Sequence, residues 1–203
     1  MLNKNIEDNN IKNIVPVKKS LGNIVGERSL YLSGSNFQGI TSDQNFREYD
    51  EELKVQETTI DRFVEENDLN VGFIIVDVEG AELDLLEGAR NTIISQKPIL
   101  TISIYHRLKD FTEIIPWIAN LNLGYEFKRK NIDGDQITGF KFTGGYNLHP
   151  FIGFSLDKGC LEFLKEKDII DAGAFTGDTS LPLSKLTRAN VYALNHLMNL
   201  LTC

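Results

Sequence analysis

Two hydrophobic periods alternate along the chain. Val71–Val78 is a near-continuous apolar run, as expected for a parallel strand covered on both faces. Ala81–Ile94 then sets Leu83, Leu86, Ala89, Arg90 and Ile93 at helical spacing, with Leu85 and Ile94 widening the stripe. Ile99–Tyr105, after Pro98, reads as a second buried strand. Phe111–Leu121 carries Phe111, Ile114, Ile115, Ile118 and Leu121 on one helical face, and Pro116 must lie near its start or bend it. Gly124–Lys130 and Ile137–Phe142 read as strands joined at Asp133-Gly134.

The flanking segments follow the same alternation. Met1–Asn10 is polar with Leu2 and Ile6 four apart, like the tail of a helix. Ile11–Lys19 and Arg28–Leu32 read as strands, the second in a hairpin. Ser33–Tyr49 is rich in Gly, Ser, Asn and Asp and predicts a long loop, a lid candidate. Thr58 or Thr59 caps a helix over Thr59–Asn67, with Ile60, Phe63 and Val64 on one face. Gly144–Pro150 is a plausible joint. Then come a short helix at Cys160–Lys165, a strand at Asp168–Asp171, a helix at Thr179–Leu186 that admits Pro182 in its first turn, a strand at Asn190–Leu194 and a helix from Leu197. Alternating strands and helices predict an α/β class with a mainly parallel sheet.

The 203 residues suit one domain with a full core. The net charge of −8 and the lack of a basic run argue against a nucleic-acid partner. No apolar stretch is long enough to span a bilayer, and Met1–Asn10 has no apolar signal core. Cys160 and Cys203 are expected as free thiols in a reducing cytoplasm, which sets the expected localisation. No Cys/His spacing suggests zinc, and His106, His149 and His196 are too scattered to argue for a metal.

Three clusters carry chemistry. The apolar run at Asp168 ends in Asp171-Ala-Gly-Ala-Phe-Thr-Gly-Asp178, a strand, glycine turn and helix start. Gly173 and Gly177 let the backbone turn sharply and approach a ligand, and the amides opening the helix favour a carboxylate. Neither the dinucleotide glycine spacing nor a phosphate-cradling Gly-Lys-Ser/Thr is present, so two flanking aspartates suit a cationic, amino-acid-bearing ligand better than a pyrophosphate. An ordinary turn capped by Asp178 is the bland alternative. The second cluster, Asp77-Val-Glu79-Gly80-Ala-Glu82, closes the most apolar strand and opens a helix. Its acids could bind an amine, orient a hydroxyl or act as general base; compensation of the helix dipole is the alternative, evenly weighted for Glu82. The third, Tyr105-His106, ends the next strand, where a histidine can take a hydroxyl proton or simply be bonded within a loop.

Together these stretches resemble the FkbM-type methyltransferase family. The resembling segments are Lys167–Ala193, Asn3–Gly22 and Thr58–Lys128, including VDVEGAELDLLEGA and KPILTISIYH. The resemblance implies a Rossmann-like, seven-stranded class I fold and S-adenosylmethionine-dependent O-methylation of a sugar or secondary-metabolite hydroxyl. It implies that Asp171, Gly173, Ala174, Phe175, Gly177, Asp178 and Thr179 hold the cofactor, with Asp77. Glu82 and Tyr105 are expected at the acceptor, and His106 as general base with Asp77 or Glu79 orienting either ligand. No metal is implied.

Two departures follow. In the family the Asp171 region precedes the Asn3 region, so this chain reads as a circular permutant: 1–143 matches the family's C-terminal part and 151–203 its N-terminal part. The cut falls inside a helix whose halves would dock side by side or pair between chains as a homodimer or domain swap. The family's ribose-binding glutamate is replaced by Asn195, which lacks the charge and the bidentate geometry. A degenerate, non-catalytic binding module or gene fragment is therefore the competing expectation. A nicotinamide oxidoreductase fits the glycine spacing poorly.

Overall fold

The computed structural model describes residues 1–33, 39–42, 44–45, 48–132, 135–141 and 158–194. Five parallel strands form its centre. They are β1 (Ile14–Val17), β11 (Val191–Leu194), β10 (Asp168–Ala172), β6 (Val71–Val76) and β7 (Ile99–Ser103), side by side in that order. The antiparallel strands β9 (Asp135–Lys141) and β8 (Glu126–Ile132) complete a seven-stranded sheet. The order is thus β1-β11-β10-β6-β7-β9-β8. Numbered from β10 instead, it reads 3-2-1-4-5-7-6, and its first five positions are the doubly wound order. The expected mainly parallel seven-stranded sheet is present.

Every residue of β6 is buried, which is why the strand reads as an unbroken apolar run. Its side chains alternate between two cores. Ile74 and Val76 join Ile60 and Phe63 of α2 (Ile60–Asn67), Leu85 and Leu86 of α3 (Glu82–Glu87), Ile93 of α4 (Arg90–Gln96), and Ile114 and Ile118 of α5 (Leu108–Ala119). Phe73 and Ile75 join Leu2 of α1 (Leu2–Asp8), Leu164 of α6 (Lys158–Leu164) and Leu183 of α7 (Ser180–Leu183). None of these helices is long and apolar enough to cross a membrane.

Several expected boundaries shift for local reasons. The helix expected over Ala81–Ile94 is broken into α3 and α4. A Cβ at Gly88 would collide with the Gly22 carbonyl, so backbone packs on backbone at the break. Asp61 there takes the Asn91 and Thr92 amides at 2.9 and 2.7 Å, satisfying the first turn of α4 from another helix. Thr59 caps α2 as expected, accepting the Arg62 amide at 3.0 Å. Pro116 lies well inside α5, which starts three residues earlier than its apolar face suggests. The expected Thr179–Leu186 helix is only the short α7.

The expected loop over Ser33–Tyr49 needs a larger correction. It contains β4 (Gly39–Thr41), which pairs with β3 (Gly26–Ser33) in a second sheet ordered β2-β5-β3-β4. The remaining strands are β2 (Ser20–Leu21) and β5 (Glu51–Thr58). Leu30, Leu32, Leu53 and Val55 form its small apolar patch. In β5 these apolar positions alternate with Glu52, Lys54 and Gln56, a period-two signal over too few residues to stand out.

Candidate functional site

From β10 the chain continues to β11 on one side, while β6 lies on the other. This is the reversal point of the sheet, where the crevice beyond the strands' carboxyl ends takes ligands in open α/β folds. The loops after β10 and β6 meet there. The Asp77 amide donates to the Ala172 carbonyl at 3.0 Å, and a Cβ on Gly173 would strike the Asp77 carbonyl oxygen. Glycine is required at 173 on both counts, since its φ is also +98°. Of the positive-φ residues described, Glu79, Gly80, Gly173, Phe175 and Gly177 all lie in these two loops. Strained backbone gathers at functional sites when the surrounding structure holds it.

The glycine turn is fixed from below. The Leu194 carbonyl accepts the Gly173 and Ala174 amides at 3.2 and 3.3 Å. Asp171 is buried and accepts the Ser180 hydroxyl, so its carboxylate braces the turn from inside the fold. Burial raises its pKa to about 7, with the Ser180 hydrogen bond opposing. Gly173 is exposed between the buried Ala172 and Ala174, leaving bare backbone at the crevice. Asp178 is exposed and accepts the Thr176 hydroxyl at 2.9 Å. Phe175 and Thr179 lie half-buried along the same turn, and Gly177 is buried under it.

The acidic loop is held by side chains. Glu82 is fully buried; its Oε1 accepts the Val78 and Gly80 amides at 3.2 and 3.3 Å and lies 2.9 Å from His106 Nδ1. On the other edge of the imidazole, Nε2 stands 3.5 Å from Asp77 Oδ1 and 3.6 Å from Glu79 Oε1. The His106 side chain is 5% exposed, whereas those of Asp77 and Glu79 are 49% and 37% exposed. Desolvation lowers the histidine's pKa, but the flanking Glu79 and Glu82, with the charge of Asp77, outweigh it and lift the value to about 10. Desolvation of the edge of Asp77 that faces the fold, with the charges of Glu82 and Glu79, raises it to about 6, the histidine's charge opposing. The exposed Tyr105 ring packs on His106 with centroids 4.2 Å apart.

The fold therefore brings together Asp77, Glu79, Glu82, Tyr105 and His106, and seats them beside the glycine turn. Glu82 faces inward, away from a solvent-borne acceptor. Asn195, the Asp133-Gly134 turn, the Gly144–Pro150 joint and the helix from Leu197 lie outside the described residues. Sequence reading missed Asp110, a buried aspartate in the first turn of α5. Its pKa is raised to about 6 by burial and by Glu82. The signal was a lone acid after the basic Arg107 and Lys109, at a helix start where acids are commonplace.

A sequence model of the Methyltransferase FkbM domain matches residues 3–127. Among solved structures, the methyltransferase FkbM from Methylobacillus flagellatus KT is 31% identical over 43% of this chain and 24% of that chain, with a TM-score of 0.40. The M1.HpyAVI–SAM complex is 12% identical over 67% of this chain and 87% of that chain, also with a TM-score of 0.40. The chain thus spans about a quarter of the length of the first of these proteins. No curated protein matches it.

Proposed function

The chain belongs to the FkbM methyltransferase family, and from that premise we propose that it is an S-adenosylmethionine-dependent O-methyltransferase. Its acceptor is a hydroxyl of a small molecule, a sugar or a secondary metabolite. The observation that carries this reading is the packing of the glycine turn against the acidic loop at the sheet's reversal point. The residues fit the cofactor: Gly173 presents unshielded backbone at the crevice, and Asp178 offers an exposed carboxylate for an ammonium group. When bound, the cofactor supplies a methyl group on a sulfonium, an electrophile for an incoming oxygen.

The chain's own work is positioning and proton removal. Asp171 fixes the turn through Ser180 without reaching the ligand. Asp77 and Glu79, the part-exposed carboxylates at the ends of β6, orient the acceptor hydroxyl and receive its proton. His106 was the expected base, but its ring is enclosed by three carboxylates and the Tyr105 ring. It serves instead as the positioning residue behind Asp77 and Glu79. The parts act in rotated order, with the segments around β10 and around β6 forming the first and second portions of one domain over 1–203. The sheet order counted from β10 supports this permuted reading.

Incubation with methyl-labelled S-adenosylmethionine and a panel of hydroxylated sugars and metabolites tests the proposal. Label should enter a hydroxyl, and Asp77→Ala should lower turnover at least tenfold while cofactor affinity stays within threefold. Labelling confined to amines or thiols would contradict O-methylation.

A further inference from the structure

We propose that Asp77, Glu82 and His106 bind one divalent first-row metal cation of the Mn2+ type, beside the glycine turn at the acceptor end of the crevice. The proposal deepens the methyltransferase reading, and rests on it only for what would approach the ion. Each residue can offer one ligand atom, and these atoms lie within 4.8 Å of one another. Ligands on a single cation at ~2.1 Å stand ~3–4 Å apart, so shifts of under about 1 Å complete the shell. The contact of His106 Nε2 with Asp77 Oδ1, 3.5 Å, already has that spacing, while Nδ1 on the opposite edge of the ring is held by Glu82 Oε1 at 2.9 Å.

The independent observation is a set of buried polar atoms left without hydrogen bonds. His106 Nε2, in a side chain 5% exposed, has only long ion-pair contacts, 3.5 Å to Asp77 and 3.6 Å to Glu79. Glu82 Oε2 has none in a side chain with no exposure at all. Both oxygens of the buried Asp110, close enough to feel the Glu82 charge, are unsatisfied as well. Buried polar groups are normally paired, and a buried carboxylate without full compensation is costly. A cation that displaces the imidazole proton gives Glu82 and His106 a shared partner and, with Arg107 beside Asp110, offsets the local carboxylates.

The donor set points to the class of ion. One imidazole with two carboxylates suits Mn2+, Fe2+ or Zn2+ rather than a thiophilic metal. Glu82 is oriented in advance by the Val78 and Gly80 amides, as outer contacts orient metal ligands elsewhere. Asp77 is half exposed, so coordination positions on its side stay open to an acceptor oxygen, whose proton then passes to Glu79 rather than to the ligating Asp77.

Protein stripped with a chelator and titrated with MnCl2 should bind one ion per chain, read by calorimetry and by loss of the free-Mn2+ paramagnetic resonance signal. Asp77→Asn, on a half-exposed side chain, should weaken binding at least tenfold, and Glu82→Gln likewise. Glu65→Gln, on the exposed face of α2, should leave the affinity unchanged. Asp77→Asn decides the question if Glu82→Gln fails to fold. Absence of saturable binding by folded wild type, or equal affinities in wild type and Asp77→Asn, would overturn the site. Titrating the same samples with S-adenosylmethionine separates the two proposals. Cofactor binding without Mn2+ binding removes only the metal site; Mn2+ binding without cofactor binding keeps the metal site and removes the methyltransferase reading.

Discussion

The two loops at the reversal point are built on opposite principles. The turn after β10 is shaped by backbone: three residues with positive φ, two amides on the Leu194 carbonyl, and one carboxylate sealed beneath it. The loop after β6 is shaped by side chains, with Glu82 latching two amides and the imidazole of His106 set among three acids. The first excludes volume and the second balances charge. Damage to the turn should therefore appear as steric destabilisation, and damage to the acidic loop as unpaired buried charge.

The largest effect expected is at Gly173. Alanine there meets both the Asp77 carbonyl and a φ of +98°, so Gly173→Ala should cost on the order of 4 kcal/mol in urea unfolding. A loss under about 1 kcal/mol would mean the two loops are not in contact. His106→Ala comes next: it strands the Glu82 carboxylate in the interior and should cost about 3 kcal/mol. A neutral result would show that Glu82 is reached by water.

Asp171 tests the sealed carboxylate beneath the turn. Its pKa rises on folding, from 3.8 to about 7, so the folded state keeps a proton that the unfolded state has lost. Its contribution is complete below about pH 4 and is lost as pH climbs to about 7, on the order of 2–3 kcal/mol between pH 5 and 8. Asp171→Asn, which still accepts from Ser180, should remove that slope in thermal melts and be the more stable protein at pH 8. Identical slopes would show that Asp171 is not sealed. The smallest effect belongs to the exposed Asp178. Asp178→Ala should change stability by less than about 0.5 kcal/mol, because the turn does not depend on it.

The sheet was legible in the sequence because its central strands are buried on both faces: Val71–Val76 has no polar residue, and in Ile99–Ser103 the only polar residues are the small, buried Thr101 and Ser103. The second sheet was not. Its strand Glu51–Thr58 mixes acids and lysine with two apolar residues, and β4 sits among residues typical of turns. The break between α3 and α4 depends on Gly22 and Asp61, neither of which is near in sequence. The site shows the same division. Asp77, Glu79, Tyr105 and His106 were visible at strand ends, where chemistry is expected. That Glu82 and Asp171 turn inward follows from packing, since an acid at a helix start or strand end reads alike whether it faces a ligand or a neighbouring helix.

The central claim is that the two loops form one site, the glycine turn holding the cofactor and the acidic loop bordering it on the acceptor side. Titrating isotopically labelled protein with S-adenosylmethionine and following the backbone amides tests it most directly. Saturable shifts concentrated at Gly173–Thr179 and Asp77–Gly80 are the result predicted. Folded protein showing no shifts, or shifts centred on the second sheet, would contradict it.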